Sequence, residues 1–276
     1  MSTATAPEVA QLKQIANKAR INTIKMLHEA GSGHPGGSLS AMDIMTVLMH
    51  RFMKHDPKNP KWEDRDRFVL SKGHCIPAWY CLLADAGYFP EEDLMTLRKL
   101  DSPLQGHPVN TAMDAMEACT GSLGQGLSIA IGMAMAAKLD RKPHKIYCMI
   151  GDGETQEGQI WEALLSAPKF KLDNLVCILD NNGGQIDGPV EEVMPLAPVV
   201  DKMKSFNWHV IDIDGHDYDQ IIAALEEANT VKDQPVFIRA KTVKGKGVSF
   251  MEGKIDWHGK APNAEETEKA LAELGA

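Results

Sequence analysis

Two short apolar runs, Lys145 to Ile150 (KIYCMI) and Leu175 to Leu179 (LVCIL), bracket a stretch with room for one helix. Each run is partly β-branched and is bounded by turn residues, which is the pattern of a buried strand. Strand, crossover helix and strand make a βαβ unit, so the two strands should be parallel. This unit constrains the chain more than any other feature, because a parallel sheet has to be covered on both faces. The first run leads into Gly151-Asp152-Gly153 and the second into Asn181-Asn182. Asp152 and Asn182 are therefore expected at the carboxyl ends of strands in one sheet, where open α/β sheets bind ligands.

A carboxylate and an amide oxygen in such a crevice suit a hard divalent cation. Mg²⁺ takes oxygen ligands in an octahedron and commonly shares itself with phosphates. Gly151 and Gly153 permit a tight turn and close backbone approach to an anion. A helix beginning near Glu154 would aim its N-terminus at the same place. The residues alone indicate a Mg²⁺–diphosphate site; their blander reading is a surface turn followed by an Asn-rich turn.

With 276 residues, 43% of them hydrophobic, the chain can bury a sizeable core. Its net charge of -9 argues against nucleic acid and anionic membranes as partners. An anionic substrate would need a local positive site, and the sequence shows no arginine cluster to form one. No apolar run approaches the roughly 20 residues of a membrane span. The opening MSTATAPEVAQ lacks the basic and apolar regions of a signal peptide, so a cytoplasmic location is expected. Cys75, Cys81, Cys119, Cys148 and Cys177 have no CxxC spacing and read as reduced core or near-core thiols.

Helical spacing runs from Ala10 to Ala30, followed by a glycine-rich break. Ser38 to Met53 reads as a Met- and Leu-rich helix capped by Ser38, and Phe68 to Leu70 as a strand. A helix from about Ile76 to Ala86 follows, then an irregular stretch from Asp101 to Cys119. A small-residue helix opens at Gly121-Ser122-Leu123-Gly124-Gln125-Gly126 and reaches Leu139; its alanines and glycines permit close packing against a helix or a symmetry mate. Trp208 to Ile213 and Pro235 to Ala240 read as strands around a helix from Ile221 to Ala228, and Glu265 to Leu274 as a terminal amphipathic helix. The alternation predicts one doubly wound α/β domain over residues 1–276, with a mostly parallel sheet flanked by helices.

Four histidines share glycine-flanked loops: Gly33-His34-Pro35, Gly73-His74, Gly106-His107-Pro108 and Trp257-His258-Gly259. Loops on a rigid scaffold are where binding groups concentrate. Imidazole can hydrogen-bond diphosphate or sugar hydroxyls, and can carry protons near neutral pH. His28, His50, His55, His144, His209 and His216 lack this setting and read as structural.

SGHPGGSLS, FVLSKGHC, QGHP, TGSLGQGLS, GDGETQEGQIWEA, DNNGGQIDG and WHGKAPN together resemble the diphosphate-binding domain of transketolases. GDG followed at a distance by NN is similar to the thiamine-diphosphate fingerprint. The resemblance covers about residues 10 to 262, in the family's order. It implies thiamine diphosphate and Mg²⁺ as cofactors, with Ca²⁺ or Mn²⁺ as substitutes for the metal. It implies that Asp152, Asn182 and the Gly184 carbonyl ligate the metal, and that His74, Gly153 and His258 approach the diphosphate. Gly121 and Leu123 would meet the aminopyrimidine, and Ile186 would support the cofactor's bent shape. His34, His107 and His258 would line the substrate channel. Glu157 and Glu162 resemble glutamates at the family's subunit interface; a solvated helix face is the other reading.

Two positions depart from the family's pattern. Gly37-Ser38 stands where Ala-Pro is common, which changes the entrance near His34. Gly184 stands where an isoleucine-type residue is expected, so that side-chain contact is lost while the carbonyl remains.

A full transketolase is more than twice as long. The glutamate that activates the cofactor and the arginines that grip the sugar phosphate belong to parts with no counterpart here. The resemblance therefore implies a split enzyme moving a two-carbon ketol unit between sugar phosphates. Its partners would be a second copy of this chain and a separate pyrimidine-domain subunit, in an α₂β₂ assembly. Four alternatives stand beside it: a split transketolase for an unusual sugar, part of a 1-deoxyxylulose-5-phosphate synthase-like enzyme, a non-catalytic cofactor-binding module, and an engineered fragment in place of a natural split. A nicotinamide dehydrogenase fits poorly, since no GxGxxG follows a strand.

Overall fold

Strand β2 (Ile146–Gly151) is buried along its whole length, and β3 (Leu175–Asn181) along all but its last residue. Both come from the apolar runs, and in the computed structural model, which describes residues 5–276, they pair in parallel. The first four residues of the stretch read for a signal peptide lie outside the described residues. With β1 (Arg67–Leu70), the two-residue strands β4 (Gly184–Gln185) and β5 (Gly188–Pro189), β6 (His209–Asp214) and β7 (Val236–Lys241), the strands form two sheets. The main sheet has the order β1-β2-β3-β7-β6, and every pairing in it is parallel. β4 and β5 form an antiparallel hairpin apart from it.

Alternate side chains of each strand serve opposite faces. Phe68, Leu70, Tyr147, Met149, Val176, Ile178 and Ile238 face one core. It is closed by α1 (Ala6–Ala30), α3 (Met42–Val47), α4 (Ile76–Asp85) and α9 (Tyr218–Thr230). Val69, Cys148, Ile150, Cys177, Leu179 and Phe237 face the other. That face is closed by α5 (Gln125–Leu139), α6 (Gly158–Lys169) and α8 (Val199–Ser205). The sheet is doubly wound, as the alternation predicted. A third cluster, with Ile24, Leu39, Val248, Met251 and Trp257, packs α1 and α2 (Pro35–Ser40) against α10 (Ala264–Leu274). Among the described residues no helix is long and apolar enough to cross a membrane.

Several local expectations need correction. The helix expected from Ser38 starts earlier, because Pro35 presets the backbone of its first turn. Ser38 is inside α2, where its hydroxyl donates to the His34 carbonyl rather than capping a helix end. A break at Ala41 separates α3, which runs into a π-helical turn over Leu48–Phe52. Nor does the helix after β2 begin at Glu154: a 3₁₀ turn covers Glu154–Gln156, and α6 starts at Gly158. The Glu154 carboxylate is turned inward, accepting from Ser71 and from the Gly124 and Gly151 N–H groups. Cys119 is exposed, while the other four cysteines are buried. Two short helices, α7 (Val190–Val193) and α8, had no counterpart in the sequence pattern.

A buried polar hub ties the helices of the first face together. Asp43 on α3 accepts both terminal nitrogens of Arg20 from α1, at 2.9 and 2.7 Å. It also accepts the Tyr218 hydroxyl at 2.7 Å and His216 Nδ1 at 2.8 Å. The Val243 N–H donates to His216 Nε2 at 2.9 Å, so the ring's proton lies on Nδ1, facing Asp43. Burial works to raise the Asp43 carboxyl, but His216, Arg20 and Tyr218 together hold it well below the usual carboxylate range. Arg20→Ala removes both guanidinium bonds from this buried carboxylate and should cost about 3–5 kcal/mol in denaturant unfolding. A loss under 1 kcal/mol would show that the hub does not join these helices.

Candidate functional site

The carboxyl ends of four neighbouring strands converge on one side of the sheet. They carry Lys72 after β1, Asp152 after β2, Asn182 after β3 and Lys244 after β7. Between them lies a cavity of ≈ 220 Å³ lined by His74, Leu123, Asp152, Gly153, Asn182, Gly184, Ile186 and His258. Lys72, Lys244, Gln185 and Glu157 complete the wall. Close approach of the loops depends on missing side chains. A Cβ on Gly73 would sit 2.0 Å from the Thr120 carbonyl oxygen. One on Gly184 would sit 2.5 Å from Ile255 Cδ1 and 2.6 Å from Lys244 Cε. The departure at Gly184 thus has a physical counterpart: Ile255 and Lys244 occupy the space that a larger side chain would need.

Asp152 is buried and its oxygens are held by the backbone. Oδ1 accepts the Gly153 N–H at 2.9 Å, and Oδ2 accepts the Gly183 N–H at 2.6 Å and Asn181 Nδ2 at 3.2 Å. Burial, followed by the nearby Asp180 charge, pushes this carboxyl up, and those hydrogen bonds oppose the shift. Asn182 donates through Nδ2 to Ser40 Oγ and to Asp180, both at 3.1 Å, while Oδ1 accepts the Gly184 N–H at 3.1 Å. One carboxylate, one amide oxygen and one main-chain carbonyl are hard donors that fit Mg²⁺. A raised, buried carboxyl is also the group that a cation would relieve. Among the described residues, no group of three or more His, Cys, Asp or Glu gathers as a metal cluster. The Gly151 N–H is bonded to Glu154 and the Gly153 N–H to Asp152.

His74 and His258 line this cavity, and His34 and His107 gather beside them. His34 lies 5.0 Å from His74, 6.2 Å from His107 and 5.7 Å from His258, ring centre to ring centre. His74 and His258 are 5.2 Å apart. A Cβ added at Gly121 would lie 3.9 Å from the His107 ring, which places Gly121 at the same mouth. Burial, then the charges of Arg98, His107 and Lys244, lowers His34 to about 4. Burial, then Lys244, lowers His258 to about 3. His74 and His107 are lowered too, first by burial. All four rings are therefore neutral at pH 7, able to donate at one nitrogen and accept at the other. His34 Nδ1 is buried without a hydrogen-bond partner among the described residues.

The family described as "Transketolase, thiamine diphosphate binding domain" has a sequence model that matches residues 11–276. The chain belongs to the transketolase family. A 6-deoxy-6-sulfo-D-fructose transketolase subunit, SqwG, of Clostridium sp. strain MSTE9 is 46% identical over 95% of this chain and 96% of that protein. The A subunit of the apulose-4-phosphate transketolase of Phocaeicola vulgatus is 41% identical over 97% of this chain and 95% of that protein. The transketolase of Homo sapiens is 43% identical over 95% of this chain, but only 42% of that protein is covered. The crystal structure of the Campylobacter jejuni transketolase gives a TM-score of 0.91 at 40% identity, over 96% of this chain and 42% of that one. The fold is the thiamine-diphosphate-binding fold of this family.

Sequence reasoning missed the site's cations. Lys72 and Lys244 stand apart in sequence and never form a charge cluster, yet they lie buried in one wall. Lys244 Nζ reaches His258 Nδ1 at 3.2 Å. Burial lowers the Lys244 ammonium, and Lys72 adds to that. They supply the positive charge for which no arginine cluster was visible. Of the transketolase interface pair, Glu157 lines the cavity, and both it and Glu162 on α6 are exposed.

Two outcomes test this geometry. Gly184→Ile, which installs the family's residue type, should destabilise by about 1–3 kcal/mol through overpacking against Lys244 and Ile255; wild-type stability on unfolding would refute the packing. His34 and His258 have folded pKa values below the ordinary 6.5, so the unfolded chain binds the extra protons. Their contribution is fully present above pH 6.5 and is lost as pH falls through about 4 and 3. Melting temperature should fall across that window, and the fall should be shallower in His34→Gln/His258→Gln.

Proposed function

We propose that this chain is the diphosphate-binding subunit of a two-subunit transketolase, and that residues 1–276 act as one domain. The reaction is transfer of a two-carbon ketol unit from a ketose phosphate to an aldose phosphate. The observation that carries the reading is coverage. Nearly the whole of a relative named as a transketolase subunit is matched, but only 42% of single-chain transketolases. The cavity's rim supports it, with Leu123, Ile186 and the nearby Met194 exposed. A second chain, the pyrimidine-domain subunit, would cover that rim, and two copies of each would form an α₂β₂ assembly with Glu157 and Glu162 at a subunit boundary.

In this reading Asp152, Asn182 and the Gly184 carbonyl hold Mg²⁺, or Ca²⁺ or Mn²⁺ in its place. Lys244, His74, His258 and the backbone at Gly153 face the diphosphate. Gly121 and Leu123 meet the aminopyrimidine, and Ile186 supports the bent cofactor from the hairpin tip. Bound thiamine diphosphate supplies the carbanion chemistry, and the protein orients it. Neutral His34, His107 and His258 hydrogen-bond the sugar hydroxyls and hold them against the cofactor, without the cost of a buried charge. The enzyme works in the cytoplasm.

A more specific reading is also favoured. The two subunit-type relatives are named for 6-deoxy-6-sulfo-D-fructose and apulose 4-phosphate. We therefore propose a donor outside the common pentose and hexose phosphates.

Asp152→Ala should abolish Mg²⁺-dependent binding of thiamine diphosphate in calorimetry, and undiminished binding would remove Asp152 from the site. His107→Ala should lower kcat/KM roughly tenfold or more with cofactor binding retained. For the assembly, ketol transfer should be absent with the purified chain alone and appear when the second subunit is added. Sustained turnover by this chain alone would overturn the two-subunit reading.

A further inference from the structure

Asp180 is fully buried at the end of β3, two residues before Asn182. Its oxygens collect four donors from four parts of the fold. Oδ1 accepts the Thr242 hydroxyl, beyond β7. Oδ2 accepts Ser40 Oγ of α2 at 2.6 Å, Lys72 Nζ beyond β1, and Asn182 Nδ2 at 3.1 Å. Lys72 also donates to the Gly37 carbonyl at 3.1 Å. Lys72 and Asp180 form an ion pair with both side chains buried. A carboxylate met only by donors therefore faces one end of the Asn182 amide.

An amide has two unlike ends of nearly equal shape. A carboxylate accepts only, so it admits the NH₂ end and repels the oxygen. Ser40 Oγ, whose proton goes to Asp180, accepts the same NH₂ group at 3.1 Å. Oδ1 is thereby turned away and accepts the Gly184 N–H, and both Asn182 and Gly184 line the cavity. We infer that Asp180, with Ser40, is a positioning residue that fixes the amide orientation of Asn182 so that its oxygen is presented to the divalent cation. The inference rests on the metal reading given above. The Lys72–Asp180 pair serves the orientation as a fixed charge.

The test is binding of Mn²⁺ to the full chain with thiamine diphosphate, counted by electron paramagnetic resonance. Asp180→Asn removes the fixed charge and lets the Asn182 amide turn. It should weaken Mn²⁺ roughly 10- to 100-fold, the usual effect of losing a partner of a metal ligand. The exchange variant Asp180→Asn/Asn182→Asp should recover most of that loss, because the new carboxylate presents an oxygen whichever way it turns. Loss of fold alone would not be repaired by such an exchange. If Asp180→Asn does not fold, Ser40→Ala, which keeps the ion pair, decides by a smaller loss in the same direction. Wild-type affinity in the folded variant overturns the inference. Failure of the unchanged chain to bind Mn²⁺ overturns the metal reading itself, and the inference with it.

Discussion

The buried ion pair between Lys72 and Asp180 holds the functional end of this fold together. Parallel strands end in carbonyl groups and loops that diverge, and nothing in the ladder draws those loops back toward one point. Here one carboxylate does so, linking the ends of β1, β3 and β7 to α2. Such a pair gains little net stability, since both charges are taken out of water. Its value lies in arrangement. Asn182 is turned by it, and through Asn182 the start of the hairpin at Gly184 is fixed.

The cavity wall carries both signs of charge, with Lys72 and Lys244 among Asp152, Glu154, Glu157 and Asp187. The chain carries -9 overall, while Lys72 and Lys244 line the cavity and its imidazoles are uncharged. Because burial lowers the Lys244 ammonium, that cation is incompletely satisfied in the free protein. An anion entering the cavity would meet a group already paying for desolvation and would stabilise it. Asp152, raised by the same burial, stands ready for a cation in the same way. In the proposed reading, each half of a metal–diphosphate ligand would meet a buried group of opposite charge, Lys244 or Asp152.

The main strands and their direction were legible because β2 and β3 are apolar on both faces, a pattern that few other structures allow. The histidines were legible because glycine flanks each one, and the structure brings the His34 ring within contact range of the other three. Asp180 was not legible: one residue past an apolar run, it looks like the turn that ends a strand. Lys72 and Lys244 were lost for a related reason, since 172 positions separate them and only the sheet order β1-β2-β3-β7 brings their strand ends to one side. α8 went unread because it is short and lies in a stretch broken by Pro195 and Pro198, where no apolar period can establish itself. The helix start at Glu154 was misplaced because an inward carboxylate bonded to three donors favours a tight 3₁₀ turn over a regular first turn.

The packing of α1 against α10 joins residues far apart in the chain. Asn17 Nδ2 donates to the Leu274 carbonyl at 2.8 Å, across 257 positions, and the cluster around Trp257 lies beneath both helices. During synthesis α1 leaves the ribosome long before its partner exists, so Ile24 and its neighbours wait without cover. Contacts of such long sequence separation favour slow folding, because the chain between them has to close before they reward it. The apolar residues of α1 in this cluster cannot gain their cover until α10 has been made.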